Sequence, residues 1–472
     1  MNKIKNILKI INNYGFQSEN IDDFSFIEAL TTNIQYSDSK TGVYYRIVSE
    51  AAEQTFQDRL SQANPSILFL NKSPKEKIKN PFVIVPDEKA ESFFEEVLDE
   101  LYPLGESKIK VFGITGTNGK STSVSLCEQI AFQAGLKAGS LGTVGISLNG
   151  EFVELGISGT TPSYIDLRRV LNEIEGKVEF LFMEVSSHAI SQSRLGKIEL
   201  EGSGWTSFSQ DHLDFHNTME EYFEAKLGVV NYLKKGRKLI VPDSDKKLVE
   251  DIKDSLIKHE KDTELLIAKD YRSTFKVYPN FFKVHYNRDN LNLSLEMLKD
   301  YIEIDKIKLE DIKTPKGRFS IIEYKDSFAI VDYAHTPDAI LNLVSATKRA
   351  FPNSKVITVF GCGGDRDSSK RPLMAKAAEK ESDFVIVTSD NPRSEEPQTI
   401  IDDILPGLEK TDYSVEIDRA KAIKLGLSKL GKGDVLIIAG KGHEEYQEIK
   451  GQKIFFSDFV IVEEEVENDS AR

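Results

Sequence analysis

The segment Gly113-Ile-Thr-Gly116-Thr-Asn-Gly119-Lys120-Ser121-Thr122 constrains this chain more than any other. A β-rich run, Ile109 to Thr115, leads into it, and a helical stretch, Ser121 to Ala134, leads out. Glycines let the backbone wrap so that amide N–H groups point inward at a phosphate, and the helix N-terminus adds the positive end of its dipole. Lys120 can reach terminal phosphates, and Ser121 offers a hydroxyl to Mg²⁺. The spacing departs from the strict G-x-x-x-x-G-K-[ST], because position 114 is Ile and the nearest glycines are 113 and 116. The bland reading is a Gly-rich turn closing a βα unit. A strand before and a helix after favour the phosphate reading. Either way a βα unit stands here, and such units build parallel sheets.

The same alternation recurs along the chain. Glu179 to Val185 and Lys238 to Val241 read as further buried strands. Beyond Pro315 come Phe328 to Asp332, Lys355 to Phe360, Phe384 to Thr388 and Asp434 to Ala439, with helical segments at Asp338–Ala350 and Pro372–Lys380 between them. Residues 1–107 differ: their apolar runs are short (Val43 to Ile47, Ile67 to Leu70, Phe82 to Val85), and residues 71–80 read as a polar loop. Tyr102-Pro-Leu-Gly-Glu-Ser107 reads as a hinge, since Pro and Gly interrupt helix and strand alike. At roughly 150 residues per domain, 472 residues suggest about three domains. The expected division is 1–107, 108–314 and 315–472, all of α/β class. The acidic tail from Glu463 reads as a solvated helix end, frayed at the terminus.

Composition excludes several classes. Acidic residues outnumber basic ones, 76 to 61, for a net charge of −15, which argues against a nucleic-acid binder relying on bulk positive charge. No apolar run approaches the roughly 18–20 residues of a membrane span. The N-terminal stretch lacks a long apolar core and a small-residue cleavage site, so it is not read as a signal peptide. Two cysteines, Cys127 and Cys362, cannot make a disulfide framework and fit a reducing cytoplasm.

Three further groups carry chemistry. Met183-Glu184-Val-Ser186-Ser-His188 follows directly on a strand, where ligands gather in doubly wound sheets. A carboxylate there suits Mg²⁺, although Glu184 alone would as readily be a cap or ion-pair residue. Gln192 and Arg194 follow; a lone arginine is most often a solvated surface group. Asp211-His212-Leu-Asp214-Phe-His216 is dense in metal-capable side chains, against the alternative of a polar loop with capping aspartates. Lys226 by itself is an ordinary helix lysine.

Taken together, these motifs resemble the Mur ligase superfamily, the ATP-dependent amide-forming enzymes of peptidoglycan precursor synthesis. The matching segments are Gly116 to Thr122, Thr160-Thr-Pro162, Glu184 to His188 with Gln192 and Arg194, Asp211 to Asp214, Lys226, Gly317-Arg318, Asp332-Tyr-Ala-His-Thr-Pro337 and Gly440-Lys-Gly-His-Glu444. They span about residues 109–458. Cys362-Gly-Gly-Asp-Arg-Asp367, Lys370-Arg-Pro372 and Asp390-Asn-Pro-Arg393 point to the member that adds the third stem-peptide residue.

The resemblance implies an N-terminal UDP-substrate domain, a central P-loop ATPase domain and a C-terminal Rossmann-like domain. It implies ATP bound by Gly116, Thr117, Asn118, Gly119, Lys120, Ser121, Thr122, Asn287, Asn290, Arg318 and Asp332. Mg²⁺ would lie on Ser121, Glu184, His212 and a carbamylated Lys226. Lys120, Glu184, His212, Lys226 and Arg318 would be catalytic. A UDP-N-acetylmuramoyl-dipeptide would meet Thr160, Thr161, Ser186, Gln192 and Arg194. meso-Diaminopimelate would meet Arg371, Asp390, Asn391, Pro392, Arg393, Gly440 and Glu444. The expected protein is a cytoplasmic monomer without nucleic-acid or membrane partners. Since Arg318 and Asp332 lie beyond the Pro315 boundary, the C-terminal domain should swing in on ATP binding. Arg393 suits diaminopimelate because its planar fork can take the carboxylate that lysine lacks. The bland alternative pairs Arg393 with Glu395 or Glu396. The competing functions are the lysine-adding form, a folylpolyglutamate-synthase-like ligase and a P-loop switch.

Two departures from the family pattern stand out. No clear uridine-binding DSR-type motif occurs, Asp38-Ser39-Lys40 being a weak candidate. Ser207 stands where the family often has Asn.

Overall fold

A computed structural model describes residues 2–21, 27–157, 159–409 and 412–470. Before residue 107 lie five strands: β1 (Ser18–Glu19), β2 (Ala29–Thr31), β3 (Thr41–Tyr45), β4 (Ile67–Leu70) and β5 (Phe82–Ile84). They order as β1-β5-β4-β3-β2, with β2 to β5 parallel and β1 antiparallel at the edge. The helices Asn2–Tyr14 and Asp87–Leu101 cover one face, burying Ile7, Ile11, Phe93 and Val97. Residues 71–80 form no helix or strand, and the expected hinge holds one helical turn, Leu104–Glu106.

The central sheet has eight strands: β6 (Lys110–Thr115), β7 (Ala138–Gly142), β8 (Gly145–Leu148), β9 (Glu151–Val153), β10 (Phe180–Glu184), β11 (Gly202–Trp205), β12 (Lys238–Pro242) and β13 (Glu264–Ala268). Their order is β13-β12-β11-β6-β10-β7-β8-β9. From β13 to β7 the sheet is parallel, and β8 and β9 close it as an antiparallel edge. Every residue of β10 is buried, as a parallel strand covered on both faces should be. The helix after β6 spans Lys120–Gln133, one residue earlier at each end than the sequence suggests. It packs against the helix His285–Leu298, which is how Asn287 and Asn290 arrive beside the phosphate loop.

The third sheet comprises β14 (Ser320–Tyr324), β15 (Ser327–Asp332), β16 (Val356–Phe360), β17 (Phe384–Val387), β18 (Tyr413–Val415) and β19 (Val435–Ala439). The order is β14-β15-β19-β16-β17-β18, parallel except for β14. A two-stranded hairpin follows, β20 (Tyr446–Ile449) with β21 (Gln452–Phe455). The C-terminal helix runs from Asp458 to Ser470; residues 471–472 of the expected frayed tail lie outside the described residues. Both cysteines are free and buried. Among the described residues no helix is long and apolar enough to cross a membrane.

This topology decides where chemistry can happen. In open parallel sheets ligands bind beyond the carboxyl ends of the strands, where the strand order reverses. In the central sheet those ends carry the loops after β6, β10 and β11. In the third sheet they carry the loops after β15, β16, β17 and β19. The motifs singled out after residue 109 lie on these ends or on helices packed beside them, apart from Thr160-Thr-Pro162, which follows β9, and Gly317-Arg318, which precedes β14.

Candidate active site

The loop after β6 turns through Gly116 (φ 140°) and Gly119 (φ 89°), conformations that L side chains rarely adopt. Lys120 Nζ donates to the carbonyls of Gly116 and Thr117, both at 2.9 Å. Lys226 Nζ donates to the same Gly116 carbonyl at 2.8 Å. Two ammonium groups thus converge on one carbonyl oxygen. Burial pushes both pKa values down, that of Lys226 well below its usual range, with Lys120's charge the next cause. Ser207 braces the loop by accepting from Asn118 N–H and donating to Asn118 C=O, both at 3.0 Å. The serine at this position therefore has a defined structural use.

Glu184 ends β10 with its carboxylate against Gly142, where any Cβ would collide with it. Thr143 N–H donates to Glu184 Oε1 at 2.9 Å, and the Thr143 hydroxyl to Oε2 at 3.3 Å. His212 takes a left-handed backbone (φ 53°) at the start of the short helix Leu213–His216. Its ring stands 4.8 Å from that of His188, and its Nε2 lies 3.4 Å from Asp211 Oδ2. Burial, assisted by His188, Lys120 and Lys226, pulls the His212 pKa from 6.5 down to about 4 despite Asp211 alongside. Burial pushes Asp211 up, but the charges of His212, Lys370 and His335 outweigh it and hold its carboxyl well below the usual range. Among the described residues no group of three or more His, Cys, Asp or Glu side chains could hold a metal.

The five residues expected to meet the dipeptide form one connected group. Thr143 Oγ1 donates to Thr160 Oγ1 at 3.0 Å, and Thr161 Oγ1 donates to Glu184 C=O at 2.9 Å and accepts from Ser186 N–H at 3.1 Å. Arg194 donates to Thr161 C=O at 2.7 Å and to Gln192 Oε1 through Nε and Nη2. Asp166, three residues after a helix N-cap at Ser163, accepts from the Thr31 hydroxyl at 2.6 Å and from Thr32, joining the first sheet to this group. Asp38, the weak uridine candidate, caps a turn by accepting from Lys40 N–H and the Thr41 hydroxyl.

Two cavities open beyond the strand ends. The larger, of about 380 Å³, is lined by Asn118, Gly119, Asn287, Asn290, Arg318 and Asp332 among others. Arg318 Nη2 donates to Ser121 Oγ at 3.2 Å, while its buried Nε has no hydrogen-bond partner. The Asp332 carboxylate accepts from the N–H groups of Phe319 and Ala334, both at 2.7 Å, and burial raises its pKa. The smaller cavity, about 170 Å³, is lined by Arg371, Asp390, Asn391, Arg393, Gly440 and Glu444, and by Asp211 and His212 from the central unit. Tyr333 and His335 line both cavities, so the two meet at this loop. The third sheet's unit is seated on the phosphate loop by Asn118–Asp338 (3.3 Å), Arg318–Ser121 and Lys370–Asp211 (2.9 Å).

Within the smaller cavity, Arg393 pairs with neither Glu395 nor Glu396. Glu395 is taken by Arg371 and Glu396 by Lys450. Arg371 is also paired with Asp403, so its charge is already offset. Sequence reasoning missed Lys441. It is wholly buried, and its Nζ donates to Asn391 Oδ1 at 3.0 Å and Glu444 Oε2 at 3.2 Å. Lys370 was noted as part of a motif, but its partner Asp211 lies 159 positions away, and no local pattern announces that bridge.

Known proteins resemble this chain in sequence and in fold. Residues 114–301 match the model of the Mur ligase middle domain, and residues 317–442 that of the Mur ligase glutamate ligase domain. The UDP-N-acetylmuramoyl-L-alanyl-D-glutamate–2,6-diaminopimelate ligase of Aquifex aeolicus is 39% identical over 82% of this chain and 83% of its own. The Clostridium tetani ligase of the same name is 31% identical over 98% of this chain and 99% of its own. A solved structure bearing that ligase name superimposes with a TM-score of 0.55 at 25% identity, over 94% of this chain and 95% of the other. The MurF ligase of Thermotoga maritima, solved with ADP, shares the fold: its TM-score is 0.61 at 16% identity, over 96% of this chain and 99% of the other.

His212 gives a direct test of these electrostatics. An unfolded chain protonates this ring near 6.5 and the folded one near 4, so the folded state resists the proton. Its contribution to stability is present above pH 6.5 and is lost as pH falls through about 4. In a histidine NMR titration of the metal-free protein, His212 should titrate near 4. Asp211→Asn, removing the charge that holds the value up, should lower it further. A midpoint near 6.5 in the wild type would contradict the burial described.

Proposed function

The chain belongs to the Mur ligase family, and on that premise we propose that it joins meso-2,6-diaminopimelate to the D-Glu side-chain carboxylate of UDP-N-acetylmuramoyl-L-Ala-D-Glu, at the expense of ATP. The observation that carries this is the meeting of two cavities at Tyr333 and His335. One is walled by the phosphate loop, the other by Asp390-Asn-Pro-Arg393, and the Thr160–Arg194 group is tied to Glu184, whose charge acts on Lys120 of the phosphate loop. Residues 1–107 would hold the UDP end of the substrate, 108–314 the nucleotide, and 315–472 the incoming amino acid. The protein would act as a monomer in the cytoplasm.

The reaction requires two anions to approach. The γ-phosphoryl group leaves ADP and forms a P–O bond to the carboxylate, giving an acyl phosphate. The substrate amine then attacks the acyl carbon. Its proton is lost, the C–O bond to phosphate breaks, and the amide remains. Lys120 and Arg318 supply opposing charge, and the unpartnered Arg318 Nε is a donor left for a phosphate oxygen. Arg194 and Gln192 would orient the dipeptide, and Asn391 and Glu444 the ammonium end of diaminopimelate.

The metal-capable residues fit Mg²⁺ bound mainly through phosphate oxygens, which needs few protein ligands. His212 is held unprotonated, Glu184 is fixed at a strand end, and Lys226 is held toward its neutral amine. Only a neutral amine adds CO₂, so the burial of Lys226 favours the carbamate that would join Ser121, Glu184 and His212 as a ligand. When bound, the cation offsets phosphate charge.

Three outcomes are expected. Phosphate release by the purified protein should require ATP, dipeptide and amino acid together; release independent of the dipeptide would count heavily against a ligase. Lys226→Ala should lose activity and regain part of it with acetate, whereas full activity in that variant would make Lys226 a purely structural lysine. In an amino-acid panel at matched concentrations, diaminopimelate should be used and lysine disfavoured. Arg393 keeps a quarter of its side chain exposed and has Glu448 nearby, so the loss of the substrate carboxylate should cost near the low end for a desolvated charge pair, about 2 kcal/mol or roughly 30-fold. Equal use of lysine would refute the choice of amino acid and leave the ligase chemistry standing.

A further inference from the structure

The segment Asp390-Asn-Pro-Arg393 does not hold its own shape. Arg393 sits in the left-handed region (φ 52°), which a bulky L residue occupies only when its surroundings impose it. The surroundings are the strand β20 of the hairpin. Arg393 N–H donates to Glu448 C=O at 2.9 Å, and Lys450 N–H donates back to Arg393 C=O at 2.6 Å. Glu448 N–H donates to Asn391 Oδ1 at 3.0 Å, and Gln447 Nε2 to Asp390 C=O at 2.6 Å. The Arg393 side chain is held at two points. Nη1 donates to Gly364 C=O at 2.6 Å, and Nε lies 3.6 Å from Glu448 Oε2. Glu448 does not line the amino-acid cavity, whereas Arg393 does. Its carboxylate therefore stands at the Nε flank of the guanidinium, away from the substrate.

Resting on the function proposed above, we infer that Glu448 is a positioning residue that sets amino-acid specificity through Arg393. A guanidinium has five N–H groups in one plane. With Nε turned toward Glu448 and one Nη1 hydrogen on Gly364, the remaining Nη hydrogens form a fork that can take a carboxylate by two parallel bonds. Without Glu448 the plane is free to turn about the last side-chain torsions, and the fork is lost for part of the time. A competing anion would act oppositely: its removal would tighten the binding of diaminopimelate. The two effects have different signs, so the measurement separates them.

The test is steady-state kinetics of the full-length protein with diaminopimelate varied and ATP and dipeptide saturating. Glu448→Ala should raise the KM for diaminopimelate about fivefold, the upper range open to a partly exposed pair. The KM for ATP and kcat should stay within about twofold, and the preference for diaminopimelate over lysine should shrink by the same factor as KM rises. Glu448→Gln, which keeps an acceptor, should show a smaller rise, about threefold, and carries the test if the alanine variant does not fold. A double-mutant cycle supplies the readout that a merely structural role would not move. If Glu448 acts through Arg393, adding Glu448→Ala to Arg393→Ala should raise KM no further. An unchanged or lower KM in Glu448→Ala, or additive effects in the double variant, would overturn the inference while wild-type turnover of diaminopimelate left the proposed function intact. A wild type that makes no product from diaminopimelate would overturn both.

Discussion

A phosphoryl group and a carboxylate repel each other, and the site is organised around cancelling that repulsion. Coulomb energies grow as water is excluded, so the cancelling charges must be enclosed and held apart from alternative partners. Lys120 and Lys226 show the cost of such enclosure. Both cations converge on Gly116 C=O, and burial lowers the pKa of each. A pair of buried ammonium groups this close is unfavourable on its own. It makes sense beside a ligand carrying several negative charges, and if one of the two becomes an anion. The same electrostatic arrangement that destabilises a second cation favours the neutral amine that carbamate formation needs.

The next requirement follows from the first. Charge that must surround two reactants cannot come from one sheet edge. The phosphate loop and Glu184 stand at the carboxyl ends of β6 and β10, whereas Arg318 and Asp332 stand beside the third sheet. Four side-chain contacts join the two units here: Asn118 with Asp338, Ser121 with Arg318, Asp211 with Lys370, and His285 with Arg349. Each involves a residue that also lines a cavity, so seating the C-terminal unit and completing the site are one event. Lys370 is a telling case. It holds Asp211, the neighbour of His212, and precedes Arg371, so one ion pair joins the two units within the wall of the smaller cavity. The expected swing of this unit on ATP binding would make and break these contacts.

Much of this was legible in the sequence, for physical reasons that differ by residue. The loop at 113–122 was legible because strand, glycines and helix follow one another without interruption, and the observed helix begins one residue from where it was expected. Strands such as β10 and β19 were legible because a parallel interior strand is a continuous apolar run. Lys226 was not: nothing about a lysine in a helix foretells that its amine reaches a carbonyl 110 positions earlier. It entered through a family likeness alone. Lys441 falls inside the matched segment Gly440-Lys-Gly-His-Glu444, yet nothing local announces its partners, and Glu448 carried no signal at all, because both roles exist only once Asn391 and Arg393 have been folded against them. Asp38 was ambiguous, since an Asp-Ser pair before a strand serves equally well as a turn cap, and Asp38 does cap a turn here.

Specificity in this site rests on backbone as much as on side chains. Asn391 receives Lys441 and Glu448 on its oxygen and donates to Glu444 from its nitrogen, so its amide orientation is determined by partners on both sides. Lys441 in turn touches Glu444, which leaves that carboxylate fixed but not free of opposing charge. On the function proposed above, an incoming ammonium would compete with Lys441 for Glu444, whereas an incoming carboxylate would meet the guanidinium of Arg393. The second interaction is the less encumbered of the two. An amino acid that offers only an ammonium would engage the weaker half of the site, and one that also offers a carboxylate would engage both. On that proposal, discrimination between such substrates would be a property of the loop that carries Arg393 and of the hairpin that holds the loop in place.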